Sequence, residues 1–311
     1  MNVLKKSGKI HASLAEQPVH NTPKTYHAVF QSDCLDLLKT LPDESVQLIV
    51  CDPPYNILMA EWDEYDDYLA WANEWMQEAK RVLAKSGNFA IFGGLQYQGE
   101  EGSGDLLSLI HKVRMTKLFN MVNLIIWNYP NGMGAQRFFA NRHEELVWFT
   151  KTKKYYFDLD SVREPYDEAT KKVYLKDKRL RPESIEKGRN PTNVWKIGRL
   201  NGNSKERVGH PTQKPKAIIE RIVKSMSHEG SVVLDFFAGS GVTSRVAIEL
   251  NRHSISVDKD DSLTSYFESH MVNAKKRGDL KLSKPHKILY KSDLAEHPIF
   301  CDSKDLNEAA E

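Results

Sequence analysis

The chain has 311 residues, with 44 Lys or Arg against 42 Asp or Glu, a formal net charge of +2 with histidine neutral. Apolar residues make up 40% and charged residues 28%, a globular mixture that suits one large α/β domain with an insertion, or two domains. No apolar run approaches the roughly 18–20 residues of a spanning helix, the polar first thirty residues do not read as a secretory leader, and three scattered cysteines, Cys34, Cys51 and Cys301, suit neither a disulfide framework nor a zinc site; a reducing cytoplasm, with no membrane and no metal, is the expectation.

Taken in order, residues 1–25 are polar, with Pro18 and Pro23, and read as an arm. Residues 26–150 alternate strand and helix patterns. Apolar runs predict strands at Tyr26–Gln31, Val46–Cys51, Asn88–Phe92, Asn123–Trp127 and Glu145–Phe149. Between them, residues 66–83 place Leu69, Ala72, Trp75, Met76, Ala79 and Leu83 on one helical stripe. Trp71 and Trp75, four apart, read as core, and Trp62 lies in a loop that could cover a ligand. Residues 151–209 break the rhythm and read as an insertion. Residues 210–282 resume it, with helices over 216–227 and 241–251 and strands at Val232–Phe236 and Ser254–Val257. Residues 283–311 are polar and read as a weakly ordered tail or a docking extension. Strands separated by helices predict a parallel, doubly wound sheet.

The charge is uneven. Residues 151–221 carry 19 basic and 10 acidic groups, between flanks in which acidic groups prevail. That distribution suits either a surface that meets a polyanion or a solvated basic insertion.

Two motifs carry chemistry. The strand Val46–Cys51 runs into Asp52-Pro53-Pro54-Tyr55. The prolines fix φ and remove two backbone donors, which leaves a rigid rim offering a carboxylate, carbonyls and a ring. That set matches an exocyclic amino group on a flat heterocycle. The Asp52 side chain and the Pro53 carbonyl can accept its two hydrogens, and Tyr55 can stack on the base. Holding both hydrogens out of plane favours a pyramidal nitrogen whose lone pair attacks a methyl sulfonium. In duplex nucleic acid such a base must first be extruded.

The second motif is the strand Val232–Phe236 entering Phe237-Ala238-Gly239-Ser240-Gly241, followed by a helix. Glycines at a strand's carboxyl edge let a ligand approach the backbone. Position 244 is Ser, so the third glycine of a dinucleotide fingerprint is missing, and no Gly-Lys-Ser/Thr ending is present as in a P-loop. A turn with Asp235 just before it suits a nucleoside with an amino-acid tail, such as S-adenosylmethionine. Asp258, ending the next strand, suits its ribose.

These residues resemble the amino-group DNA methyltransferases of the beta order, in which the Asp-Pro-Pro-Tyr segment precedes the glycine turn. The resemblance extends to Ser32-Asp33-Cys34-Leu35, to His210-Pro211-Thr212-Gln213-Lys214-Pro215, to the stretch from Leu124 through Arg142-His143-Glu144-Glu145, and to Gly188-Arg189-Asn190-Pro191-Thr192-Asn193-Val194-Trp195. Together these look like the RsrI-type adenine-N6 enzymes, over about residues 26–260. The resemblance implies a permuted S-adenosylmethionine-dependent methyltransferase sheet with a basic target-recognition insertion. It assigns Asp52, Pro53 and Tyr55 to catalysis and Phe237, Ala238, Gly239, Ser240, Gly241, Asp235 and Asp258 to the cofactor. Asp33 and Cys34 would meet its adenine, and His210, Thr212, Lys214 and Pro215 would flank it.

Double-stranded DNA is the implied partner, with a palindrome such as GAATTC as the site. A paired restriction endonuclease and a homodimer are left open. Candidate DNA contacts are Arg137, Lys171, Lys172, Lys176, Lys178, Arg179, Arg181, Arg189, Asn193, Arg199, Asn201, Asn203 and Arg207. Arg can read guanine and Asn adenine through paired hydrogen bonds. Transfer to cytosine N4, and a silent DNA-binding regulator with the same fold, stay open as alternatives.

Overall fold

The computed structural model describes residues 23–55, 65–94, 106–132, 134, 136–137, 139–290 and 294–300. Its elements in chain order are β1 (Thr25–Gln31), α1 (Cys34–Thr40), β2 (Val46–Cys51), α2 (Tyr68–Val82), β3 (Leu83–Gly93), α3 (Leu106–Thr116), β4 (Asn120–Asn128) and β5 (His143–Thr150). Then come α4 (Glu168–Tyr174), α5 (Pro182–Lys187), β6 (Val194–Lys196), α6 (Lys216–Met226), β7 (Val232–Asp235), α7 (Val242–Glu249), β8 (His253–Asp258), α8 (Leu263–Arg277) and β9 (His286–Leu289). Among the described residues the strands form one sheet in the order β6-β4-β5-β3-β2-β7-β8-β1-β9.

The sheet is permuted. The late strands β7 and β8 lie between the early strands β2 and β1, with Ile49 beside Leu234 and Phe30 beside Val257. β2 is buried throughout, as a strand covered on both faces must be. After an irregularity between Val46 and Leu48 its side chains alternate: Ile49 and Cys51 join the core beneath α1, α2 and α3, while Leu48 and Val50 join the core beneath α6.

The expectation of a wholly parallel sheet needs correction. β5 pairs antiparallel with both β3 and β4. No helix is seen among the described residues between β4 and β5, and without a crossover the returning chain must run backwards. α2 also stops at Val82, so Leu83 opens β3 instead of closing the helix.

Two short strands carry no apolar run and lie outside the sequence-based expectation. β6 adds to the edge beside β4, with Trp195 buried behind it. β9 adds to the other edge beside β1, and Leu294 and Ile299 beyond it reach the core. The basic segment is stitched to the sheet domain: Tyr156 N donates to Ser86 O and Asp158 N to Ser225 O.

Histidines cluster at the β1–β8–β9 edge. His27 is buried between Ser254 Oγ and Thr25 Oγ1, each 2.8 Å from a ring nitrogen. Burial, then the neighbouring His253, His286 and His297, hold its pKa well below the usual value. On α8, burial and the charges of Arg245 and Arg277 lower the fully buried His270 from 6.5 to about 3. Such groups stay neutral in the folded chain but protonate in the unfolded one. Their stabilisation is present above pH 6.5 and is lost as pH falls towards the folded value. Calorimetry should show a loss of about 2 kcal/mol from His270 alone between pH 6.5 and 5, and His270→Leu should flatten that slope. An unchanged slope in the variant removes His270 from the account.

Candidate active site

Parallel strands deliver their carboxyl ends to one edge of the sheet, and here β2 and β7 do so side by side. A cavity of about 540 Å³ opens at that edge. It is lined by Asp52, Pro53 and Tyr55 from the end of β2 and by Asp235, Phe237, Ala238, Gly239 and Ser240 from the end of β7. Asp258 enters from the end of β8, Asp33 and Cys34 from the end of β1, and His210, Thr212 and Lys214 from the segment before α6. Segments nearly two hundred residues apart thus share one cleft.

The glycine turn is shaped by contacts that a side chain would break. Gly239 has φ +48°, and a Cβ there would come within 2.9 Å of His210 Cε1. Gly239 N donates to Asp258 Oδ2 at 2.8 Å, while Asp258 Oδ1 accepts from Asp260 N. Burial pushes the Asp258 carboxyl up, against the pull of these two hydrogen bonds. Gly241 (φ +73°) lies outside the lining; it caps α7, and a Cβ on it would come within 2.9 Å of Phe267 Cβ. Pro215 also lies outside the lining and caps α6. Asp33 caps α1 by accepting from Leu35 N through Oδ1, and Oδ2 lies 3.4 Å from Lys259 Nζ.

Asp235 is a buried carboxyl of the site. Thr243 Oγ1 donates to its Oδ2 and Phe237 N to its Oδ1. Burial, with smaller contributions from Asp52 and Asp258, raises its pKa to about 7. A cation seated beside it favours the charged form.

Asp52 accepts from Tyr55 Oη at 2.9 Å and from Lys214 Nζ at 2.6 Å. The Asp52–Tyr55 and His210–Pro215 motifs are therefore in direct contact, which spacing alone does not reveal. Glu144 also lines the cavity, with Oε2 3.5 Å from Lys214 Nζ. Trp71, read as core from its spacing to Trp75, is partly buried against the core and also stacks on Tyr65 at 3.9 Å and leans on Phe237, forming an aromatic wall of the cavity. Trp75 is fully buried. Trp62 lies outside the described residues.

The proposed DNA contacts are not gathered in one place. Arg207, Arg199 and Asn201 line the cavity, where Arg207 Nη2 donates to His210 O. Asn131 Nδ2 donates to Asn201 Oδ1 and to Arg199 O. Arg137, Lys172, Lys176 and Lys178 are exposed. Lys171 pairs with Glu186, Arg179 with Asp177 and Arg189 with Glu164. Asn193 Nδ2 donates to Leu124 O and so helps to hold β6 on β4.

The family described as DNA methylase matches residues 46–269, from β2 into α8. The type II methyltransferase M.BglII of Bacillus subtilis is 37% identical over 239 residues, covering 74% of this chain and 65% of its own length. The DNA adenine methyltransferase YhdJ of Escherichia coli K12 is 30% identical over 279 residues, 84% of this chain and 91% of its own. The solved structure of the PvuII DNA methyltransferase, cytosine-N4-specific, shares the fold with a TM-score of 0.59 at 17% identity, covering 93% of this chain and 94% of that one. The chain belongs to the beta-class amino-group DNA methyltransferases, a family whose methyl donor is S-adenosylmethionine.

The residues fit that cofactor. The side-chain-free face of Gly239, the Trp71–Phe237 wall and the buried carboxyl of Asp235 suit a nucleoside bearing a cationic tail. Since Asp235 must be charged to favour a cation, affinity for S-adenosylmethionine should rise with pH up to about 7 and level above it, with a limiting slope of about tenfold per unit. Titration of tryptophan fluorescence at several pH values measures this, and Asp235→Asn should both weaken binding and flatten the profile. A pH-independent affinity in the wild type contradicts it.

Proposed function

We propose that this chain transfers a methyl group from S-adenosylmethionine to N6 of an adenine extruded from double-stranded DNA. It would serve as the modifying half of a type II restriction–modification pair, with GAATTC as a candidate site. The observation that carries this reading is the shared cavity, in which Asp52, Pro53 and Tyr55 face the Gly239 turn. The Asp-led tetrapeptide favours adenine, and the alignment with a DNA adenine methyltransferase over most of its length supports the same base.

When bound, S-adenosylmethionine supplies an electrophilic methyl carbon on sulfur. The chain supplies orientation. Asp52 and the Pro53 carbonyl accept the two amino hydrogens and turn the nitrogen lone pair out of the ring plane. Tyr55 stacks on the base and is itself fixed by its hydrogen bond to Asp52. A preorganised carboxylate and a fixed approach account for most of the rate, without a strong base. Extruding the base costs a few kcal/mol, which phosphate contacts from the basic segment offset.

Asp52→Ala should lower methyl transfer by about a thousandfold or more while leaving DNA binding largely intact. Wild-type turnover in this variant sinks the assignment. Digestion and mass analysis of duplex DNA treated with labelled cofactor should give N6-methyladenine. N4-methylcytosine, or no modified base, overturns the proposal, and sequencing the product tests GAATTC.

Neutralising Lys172, Lys176 and Lys178 together should weaken DNA binding and shallow its salt dependence by up to about three in log–log slope. Lys171 is set apart because Glu186 already holds it. An unchanged slope removes these lysines from the contact surface.

A further inference from the structure

Lys214 is placed between two carboxylates inside the cavity. Its side chain is 10% exposed, its Nζ is 2.6 Å from Asp52 Oδ2 and 3.5 Å from Glu144 Oε2, and it lies over the rings of Phe92 and Tyr55. Glu144 Oε2 is buried and accepts no hydrogen bond among the described residues. One cation thus serves two anions and is bonded tightly to only one of them. Asp52 is the group that meets the reacting amine, so a cation bonded to it bears on the chemistry.

We propose that Lys214 is a positioning residue for Asp52 whose charge passes from Asp52 to Glu144 and back in each turnover. The inference rests on the methyl-transfer reading and adds a role for two residues within it. In the resting site Lys214 holds the Asp52 carboxylate in place at the cavity wall. During transfer, the amino nitrogen's lone pair forms the N–C bond as the C–S bond breaks, and that electron pair stays on sulfur. The nitrogen is left with one proton too many and a positive charge. That proton passes to Asp52, which becomes neutral and no longer attracts the ammonium. Glu144 is still anionic, so Lys214 moves to it. When Asp52 gives its proton to water, Lys214 returns. The charges balance at each stage: the positive charge lost by sulfur leaves with the amine's proton, which neutralises Asp52 until water takes it, while Lys214 keeps its charge and Glu144 its own.

The test is the pH profile of single-turnover methylation, with cofactor affinity measured separately. The other titratable groups facing Asp52 are Tyr55, Cys51, His210 and Asp235, and all are unchanged in the variants. Lys214→Met leaves two carboxylates facing each other without a cation, so the acidic limb should move up by about one pH unit and the rate fall by about a hundredfold. Glu144→Gln leaves Lys214 with one anion, so the acidic limb should move down and the rate fall by about tenfold. Lys214→Arg, which keeps the charge, should recover part of the rate. Cofactor affinity should change less than about threefold in all three. Limbs that do not move, or that move the same way in Lys214→Met and Glu144→Gln, overturn the inference. So does a loss of cofactor affinity in Lys214→Met large enough to account for the rate, which would make Lys214 a cofactor ligand. A wild-type protein that methylates no amino group defeats the parent reading instead.

Discussion

The pairing of β2 with β7, Ile49 beside Leu234, is the constraint on which the site depends. Both strands are buried along their length, so a one-residue slip would send each side chain to the opposite helical layer and undo the packing of both cores. Their register fixes the segments at their carboxyl ends: Asp52 beyond one strand, and the glycine turn beyond the other. The cost of closing so long a loop grows only with the logarithm of its length. Apolar burial on both faces of the sheet can therefore hold two remote segments together. The Asp52–Tyr55 rim is rigid because its prolines allow few alternatives, and the glycine turn because Gly239 is wedged against His210.

The reversed strand β5 contributes a second ingredient. A parallel strand in its place would bring its carboxyl end to the cavity. Running backwards, β5 brings its first residues there instead, and Glu144 arrives opposite Trp127. The site thus gains a carboxylate from a strand that opens where its neighbours close. Lys214, on the segment leading into α6, meets this carboxylate and Asp52 together. The electrostatics of the cleft are set by contributions from both halves of the permuted chain.

Much of this is legible in the sequence. The buried runs at Val46–Cys51 and Val232–Asp235, and the two motifs after them, mark the strands and the chemistry because burial and turn geometry both leave local signatures. The edge strands β6 and β9 leave none, since three or four residues paired on one side need no apolar run. Trp71 reads as core because helical spacing cannot tell the centre of an apolar stripe from its border: Trp75 is buried, while Trp71, four residues earlier, reaches the cavity. The partners of Lys214 are invisible in the sequence because they depend on which strands become neighbours. Asn193 and Lys171 have side chains suited to DNA, but the structure engages one with a backbone carbonyl and the other with a carboxylate.

The most direct measurement is a structure of the protein with a duplex oligonucleotide carrying the methylated site's sequence and a non-transferable analogue of the cofactor. The account predicts one adenine turned out of the duplex, with its amino nitrogen between Asp52 and the Pro53 carbonyl. The analogue should lie against Phe237–Gly239 in the same cavity. A target base still stacked in the duplex, or the two ligands in separate cavities, would contradict it.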